Sequence, residues 1–293
     1  MEQIVLYSEI FKSIQGEGHY TGVPTSWLRF FGCNLECNGF GQDDPTDPST
    51  YKLPYKDFDL INIKNVEDLP VWKYGCDSSY SWSKKFAKIQ KKEKTDEVAR
   101  QLYEQMYNEF THIAFTGGEP LMKAAQKNTV KILQHMENEL MHPLEIFHNI
   151  TWETNGTRAL NPILVDYLTD VKERYSEDNE IEYFFSVSPK IWSTSGEKDA
   201  ICPEIVKDYY KFSDKGQLKF VCNGTEDSWY EIEEAVSKFQ RAGVWYPIWI
   251  MPVGATEESQ QDNAKEITIQ TMERGYNVAA RVHCYIFGNE IGR

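Results

Sequence analysis

Apolar and polar positions follow two periods along this chain, and beyond residue 25 the two take turns. TSWLRFF (25–31) is apolar enough for a buried strand. The spacing of Val98, Leu102 and Met106 then predicts a helix over Asp96–Tyr107. The exchange continues with strands expected at His112–Phe115, Ile146–Trp152, Tyr183–Val187, Gln217–Cys222 and Trp245–Met251. Helices are expected at Leu121–Met136, Asn161–Thr169, Glu204–Phe212, Ser228–Ala242 and Glu257–Arg274. A short strand, Val278–Val282, closes the series. Strands that are each followed by a helix imply a parallel sheet, because parallel neighbours need right-handed helical crossovers. Polar, turn-forming residues follow successive strands, as they do at the C-terminal face of a barrel. The pattern therefore predicts an α/β fold, a partial (β/α)6 barrel forming one domain over residues 1–293, in preference to an open doubly wound sheet.

Residues 38–75 break the rhythm. GFGQDDPTDPSTYKLPYKDFD is rich in Pro, Asp and Gly, and INIKNVEDLPVW follows with some apolar character. Its aromatic residues Tyr51, Tyr55, Phe58 and Trp72 speak against a disordered linker, so it reads as an insertion folded over the site. The basic run KKFAKIQKKEK (84–94) reads as a solvated face.

Charge and cysteine content narrow the classes. A net charge of −14 argues against broad binding to nucleic acid or anionic membranes. No run of 18 apolar residues is present and MEQIVLYSEIF lacks a basic leader, so a soluble cytoplasmic protein is expected. Six cysteines in 293 residues are too few for a disulfide scaffold and point to metal or redox chemistry.

The cysteines carry the sharpest signal. Cys33 and Cys37 sit in FFGCNLECNGF at the end of a predicted strand, and Cys76 in KYGCDSSYSW follows after 38 intervening residues. Three thiolates without a fourth would leave one iron of a 4Fe–4S cube open for a ligand. Other strand ends offer polar groups. FTGGEPL (115–121) supplies Gly118 and Glu119 at a strand-to-helix turn that could hold an ammonium group. WETNGT (152–157), SVSPK (186–190), KFVCNG (219–224) and IMPVGAT (250–256) repeat the arrangement, with Glu153, Asn155, Ser188 and Lys190 within reach of a ribose or carboxylate. IQGEGHYTG (14–22) is not a dinucleotide fingerprint, because no strand is expected just before it. Alternation places Trp27, Arg29 and Phe31 on one face of their strand. Arg29 needs a partner there, either a ligand carboxylate or a core acidic residue. His283 lies beside the last predicted strand, and Cys202, Cys222 and Cys284 read as small buried hydrophobes.

FKSIQGEGHYTGVPTSWLRFFGCNLEC, followed in order by FTGGEPL, WETNGT, SPK, LKFV and RVHCYIFGN, resembles the 7-carboxy-7-deazaguanine synthase family of radical S-adenosylmethionine enzymes. The resemblance runs from about residue 8 to the C-terminus, leaving out 38–75. It implies a homodimeric radical-enzyme barrel that converts 6-carboxy-5,6,7,8-tetrahydropterin to 7-carboxy-7-deazaguanine with loss of ammonia. A 4Fe–4S cluster, S-adenosylmethionine and Mg²⁺ are implied cofactors, and a flavodoxin or ferredoxin the implied electron donor. By the same resemblance Cys33, Cys37 and Cys76 ligate the cluster and Ser78 the Mg²⁺. Ile14, Gln15, Gly16, Glu17, Arg29, Thr116 and His283 match substrate positions. Gly75, Asp77, Gly118, Glu119, Glu153, Ser188, Pro189 and Lys190 match positions around S-adenosylmethionine. Gly39 and Phe40 stand where the family's compact motif has Trp and Cys, Gly75 where a Trp precedes the third cysteine, and Met251 where a Gln-Pro pair is common. Two alternatives share parts of the pattern. A glycyl-radical activase would share the cysteines and GGEP but not need IQGEG or the final RVH strand, and a zinc-binding protein would use the cysteines with a fourth ligand such as His19.

Overall fold

A computed structural model describes residues 3–106, 112–140, 149–175, 181–288 and 290–292. Tyr107 and Ile146–His148, the margins of two expected elements, lie outside these residues. The first element is β1 (Ile4–Ile14), which pairs antiparallel with β2 (Pro24–Phe30). This strand was not expected, and it corrects the reading of IQGEGHYTG: Gln15 leaves the end of a strand directly. Within the insertion lies one helical turn, α1 (Pro54–Asp57). The basic run ends as an edge strand, β3 (Lys91–Lys94), whose Lys92 and Lys94 face solvent, as lysines that blunt a sheet edge do.

From there the order is α2 (Thr95–Glu104), β4 (His112–Gly117), α3 (Lys123–His135), β5 (Asn149–Thr154) and α4 (Pro162–Arg174). Next come β6 (Glu182–Val187), α5 (Trp192–Ser195), α6 (Pro203–Phe212), β7 (Gly216–Cys222) and α7 (Glu226–Arg241). The chain ends through β8 (Ile248–Pro252), α8 (Glu257–Glu273), β9 (Asn277–Val278) and α9 (Val282–Phe287). The sheet runs β3-β1-β2-β4-β5-β6-β7-β8-β9, parallel from β2 onward and open between β3 and β9, a partial barrel. The final strand is two residues long, and residues 282–287 are helical, so His283 stands on the first turn of α9 rather than beside a strand.

Which face of each strand is apolar decides where a site can form. Leu28, Phe30, Ile113, Phe115, Ile150, Trp152, Phe185, Leu218 and Phe220 belong to the main core, packed against the helices. The alternate positions, such as Arg29, Thr116, Glu153 and Lys219, face a cavity inside the barrel. Trp27 and Arg29 share that inner face as alternation requires, whereas Phe31 lies past the end of β2. The core therefore lies between sheet and helices, and the barrel interior is free to be polar.

The interior floor is closed by hydrogen bonds and rings. The His112 imidazole lies between Thr25 Oγ1 at 3.2 Å and Thr151 Oγ1 at 2.6 Å, and Tyr20 packs edge-on to it. Burial pushes His112 down to about 4 from an ordinary 6.5. The unfolded chain therefore binds this proton more readily, and its contribution to stability is complete above pH 6.5 and drains as pH falls toward 4. His112→Gln is expected to reduce the slope of unfolding free energy against pH by about 1.4 kcal/mol per pH unit in that window. Urea unfolding of both proteins across the window reads the slope; equal slopes would mean that the folded protein protonates His112 freely.

The insertion has a core of its own. Tyr55, Val66, Leu69 and Trp72 bury themselves with Tyr80 and Phe86, and the rings of Tyr55, Phe58, Trp72, Trp82 and Phe86 pack mostly edge-on or tilted. Burying four such side chains contributes roughly 6–12 kcal/mol before chain entropy is charged against it. Tyr80 ties this small core to the barrel, because its hydroxyl donates to Glu9 Oε1 at 2.8 Å.

Candidate active site

The turn from β1 to β2 enters the barrel rather than passing beneath it. Gln15 Nε2 donates to Glu153 Oε1 at 2.8 Å, and the Gly16 carbonyl accepts from the Val282 N–H at 2.9 Å. Gly16 has no alternative there: a Cβ would lie 1.8 Å from His283 Nδ1. Gly16 thus serves the packing of α9 while also lining the cavity.

Five charged side chains alternate in sign across the interior. Lys219 Nζ lies 2.6 Å from Glu17 Oε2 and 3.1 Å from Glu153 Oε2. Arg281 donates from Nε to Glu17 Oε1 at 2.9 Å and from its terminal nitrogen to Asp77 Oδ2 at 2.8 Å. Burial alone would raise Glu17 and Asp77, but the facing cations outweigh it and hold both below the ordinary carboxylate range. Burial and the Arg281 charge lower His283 to about 4, so it is neutral at pH 7. Lys219 and Arg281 were not singled out from sequence; Lys219 sits in KFVCNG and Arg281 two residues before His283, and both occupy inward positions.

Arg29 realises the acidic-partner alternative. Its Nε lies 2.6 Å from Glu9 Oε1, opposite it on β1, and Tyr80 shares the same oxygen. Among the described residues no acceptor is assigned to its two terminal nitrogens, and the side chain lines the cavity.

The cysteine turns follow β2. The Gly32 carbonyl accepts the Glu119 N–H at 2.9 Å, and a Cβ on Gly118 would lie 2.4 Å from that carbonyl oxygen. The two glycines of TGGEP thus let two backbones touch. Glu119 is fully buried and takes Leu121 N–H, Thr154 Oγ1 and Asn155 N–H at 2.7–2.9 Å. It fixes the WETNGT turn from underneath and does not face the cavity. Pro189 also stays outside it. Every other residue matched to a cluster, Mg²⁺, substrate or S-adenosylmethionine position lines one cavity of about 300 Å³, including Cys33, Cys37, Cys76, Ser78, Ser188 and Lys190. Lys190 Nζ donates to Ser188 Oγ at 2.8 Å and stands 5.5 Å from the centre of the Phe40 ring. Of the three other cysteines Cys222 and Cys284 are buried, Cys284 also lining the cavity, while Cys202 is only half-buried.

Burial pushes Cys33 up to about 12 and raises Cys37 and Cys76 as well, and Cys33 and Cys37 both feel the charge of Cys76. A metal would have to displace the protons of these thiols to bind them. Among the described residues no three His, Cys, Asp or Glu groups converge on a single ion. His19 stacks on Phe184 at 5.5 Å on the barrel floor, away from the cysteine end, so it does not complete a zinc site with them. An iron–sulfur cube spreads its thiolates more widely than one ion does, which suits three thiols around a cavity. The buried Trp82 indole N–H lines the same cavity and favours the Cys76 thiolate, a donor of the kind that cluster sulfurs accept.

A partial barrel with free thiols and paired charges at the C-terminal ends of its strands is an α/β enzyme site. The chain is similar to 7-carboxy-7-deazaguanine synthases. It is 24% identical to that of Rhodopirellula baltica over 99% of this chain and 90% of the relative. It is 26% identical to that of Methanopyrus kandleri over 87% of this chain and 83% of the relative. In fold it is similar to the crystal structure of QueE from Escherichia coli, with TM-score 0.52 and 14% identity over 96% of this chain and 95% of the other. No family model matches the chain.

Proposed function

We propose that this protein is a 7-carboxy-7-deazaguanine synthase, a lyase that converts 6-carboxy-5,6,7,8-tetrahydropterin to 7-carboxy-7-deazaguanine with release of ammonia. The observation that carries the reading is the meeting, in one cavity, of three free cysteines with an inward arginine and an alternating set of buried charges. Cys33, Cys37 and Cys76 would hold a 4Fe–4S cluster. With S-adenosylmethionine bound, such a cluster supplies reversible abstraction of a hydrogen atom. The remaining work is positioning by this chain. Lys190, Ser188 and Glu153 offer a cation, a hydroxyl and a carboxylate to S-adenosylmethionine. Each Glu17 oxygen, though bonded to a cation, keeps a lone pair for the N–H edge of the pterin, and Gln15 and neutral His283 add uncharged donors. Ser78, whose hydroxyl is 3.6 Å from Cys76 Sγ, offers a hard oxygen to Mg²⁺. The enzyme would act in the cytoplasm as a homodimer reduced by a flavodoxin or ferredoxin. Among the described residues no helix is long and apolar enough to cross a membrane.

The substrate carboxylate falls to Arg29, a cavity-lining residue that Glu9 holds by Nε. Arg29→Lys keeps the charge and loses the fork, so kcat/KM is expected to fall by more than about tenfold, mostly through KM. Steady-state kinetics measure it, and unchanged kcat/KM would remove Arg29 from this role. The reading as a whole is tested by anaerobic reconstitution with iron and sulfide, followed by turnover of 6-carboxytetrahydropterin. Formation of the deazaguanine product supports it. A protein that cleaves S-adenosylmethionine without consuming the pterin would be a different radical enzyme.

A further inference from the structure

The turn that carries Cys37 is gripped from outside by the connection that leaves β6. We propose that Glu197 is a positioning residue that clamps this turn and aims the Cys37 thiol into the cavity, resting on the reading of Cys37 as a cluster ligand. Glu197 Oε1 accepts two backbone N–H groups, from Glu36 at 2.8 Å and from Cys37 at 2.6 Å. The neighbouring Ser195 carbonyl accepts the Gly39 N–H at 2.9 Å. Contact between the two segments is close: a Cβ on Gly39 would lie 2.6 Å from the Gly196 nitrogen.

The need for such a grip comes from the backbone. Cys37 has φ of +51°, a left-handed conformation that a residue with a Cβ adopts only when its surroundings enforce it. Returning φ to the ordinary range would swing the Cβ and its thiol to a new direction. Holding both N–H groups of the turn on one oxygen opposes that return. Glu197 is itself fixed, since its N–H donates to Ser195 Oγ at 3.1 Å and that hydroxyl donates to the Ile191 carbonyl at 2.6 Å. Among the described residues Glu197 makes no ion pair that would explain its placement otherwise. The same connection carries Ser188 and Lys190 into the cavity, and Lys190 stands over Phe40, next to Gly39. One segment thus lines the ligand space on one side and sets a cysteine on the other.

Glutamine can accept the same two bonds without charge, whereas alanine cannot. In metal-free protein, Glu197→Ala is expected to speed amide hydrogen exchange at residues 36 and 37 by about tenfold or more. After anaerobic reconstitution it is expected to hold less than about half the iron and sulfide of wild type. Glu197→Gln should match wild type in both measurements. Gly39→Ala, which forces the two segments apart, should repeat the alanine result by a separate route. Wild-type exchange rates in both Glu197→Ala and Gly39→Ala would overturn the clamp, and so would a glutamine variant as impaired as alanine, which would assign the effect to charge. If even wild type holds no iron, the functional reading fails while amide exchange still decides the clamp.

Discussion

Lys219→Met is expected to destabilise the protein by about 3–5 kcal/mol, the usual result of removing one partner from a buried ion pair. Lys219 is 3% exposed and touches both Glu17 and Glu153. Methionine fills much the same volume, so packing changes little and the loss falls on the two carboxylates. Glu17 retains Arg281, but among the described residues Glu153 is left with only the Gln15 amide. The pH dependence identifies the cause. Glu17, which Lys219 helps to hold below the ordinary carboxylate range, takes up a proton more readily without it, so the gap between variant and wild type should shrink as the pH is lowered. Denaturant unfolding at several pH values checks this, and a gap that stays constant would trace the loss to packing instead.

Cys76→Ala is expected to abolish cluster binding and with it all turnover, while the metal-free protein keeps its melting temperature to within a few degrees. Cys76 belongs to neither hydrophobic core, and its thiol makes only weak contacts, with Ser78, whose Oγ is 3.6 Å away, and with the Trp82 indole. Little stability can therefore be lost with it. Iron content, visible absorption and a thermal melt of the metal-free variant separate the two effects. Iron retained at the wild-type level would exclude Cys76 as a ligand. Iron lost together with the fold would make its role structural.

Much of this was legible because strand alternation and crossover helices have strong periods. The parallel strands from β2 to β8 and their helices fall close to the expected positions. Alternation also placed Trp27 and Arg29 on the inner face. What escaped has physical reasons. In β1, IVLYSEIFKSI mixes both faces, because one side meets the helices and the other meets Trp27 and Arg29 of β2. His283 follows a strand of only two residues, too short to carry a period. Lys219 and Arg281 look like ordinary surface cations until the fold sets them opposite Glu17. Glu119 misled in the other direction. A carboxylate beside two glycines suggests ligand binding, yet burial turned it into a support for residues 154 and 155. Glu197 is 160 residues away from the turn it grips, and no local pattern could connect them.

The separate core of the insertion has a consequence for how tightly a metal centre at Cys37 and Cys76 would be held. Cys37 and Cys76 are ends of a loop with 38 intervening residues, where a compact motif would have two. Were that loop a loose chain, closing it at the metal would cost about 2.5 kcal/mol more than closing the short one, nearly a hundredfold in affinity. Tyr55, Val66, Leu69 and Trp72 close it beforehand, when the polypeptide folds. The long chelate ring would thus behave as a short one, and a substitution inside that small core, far from any sulfur, would surface as weakened metal retention.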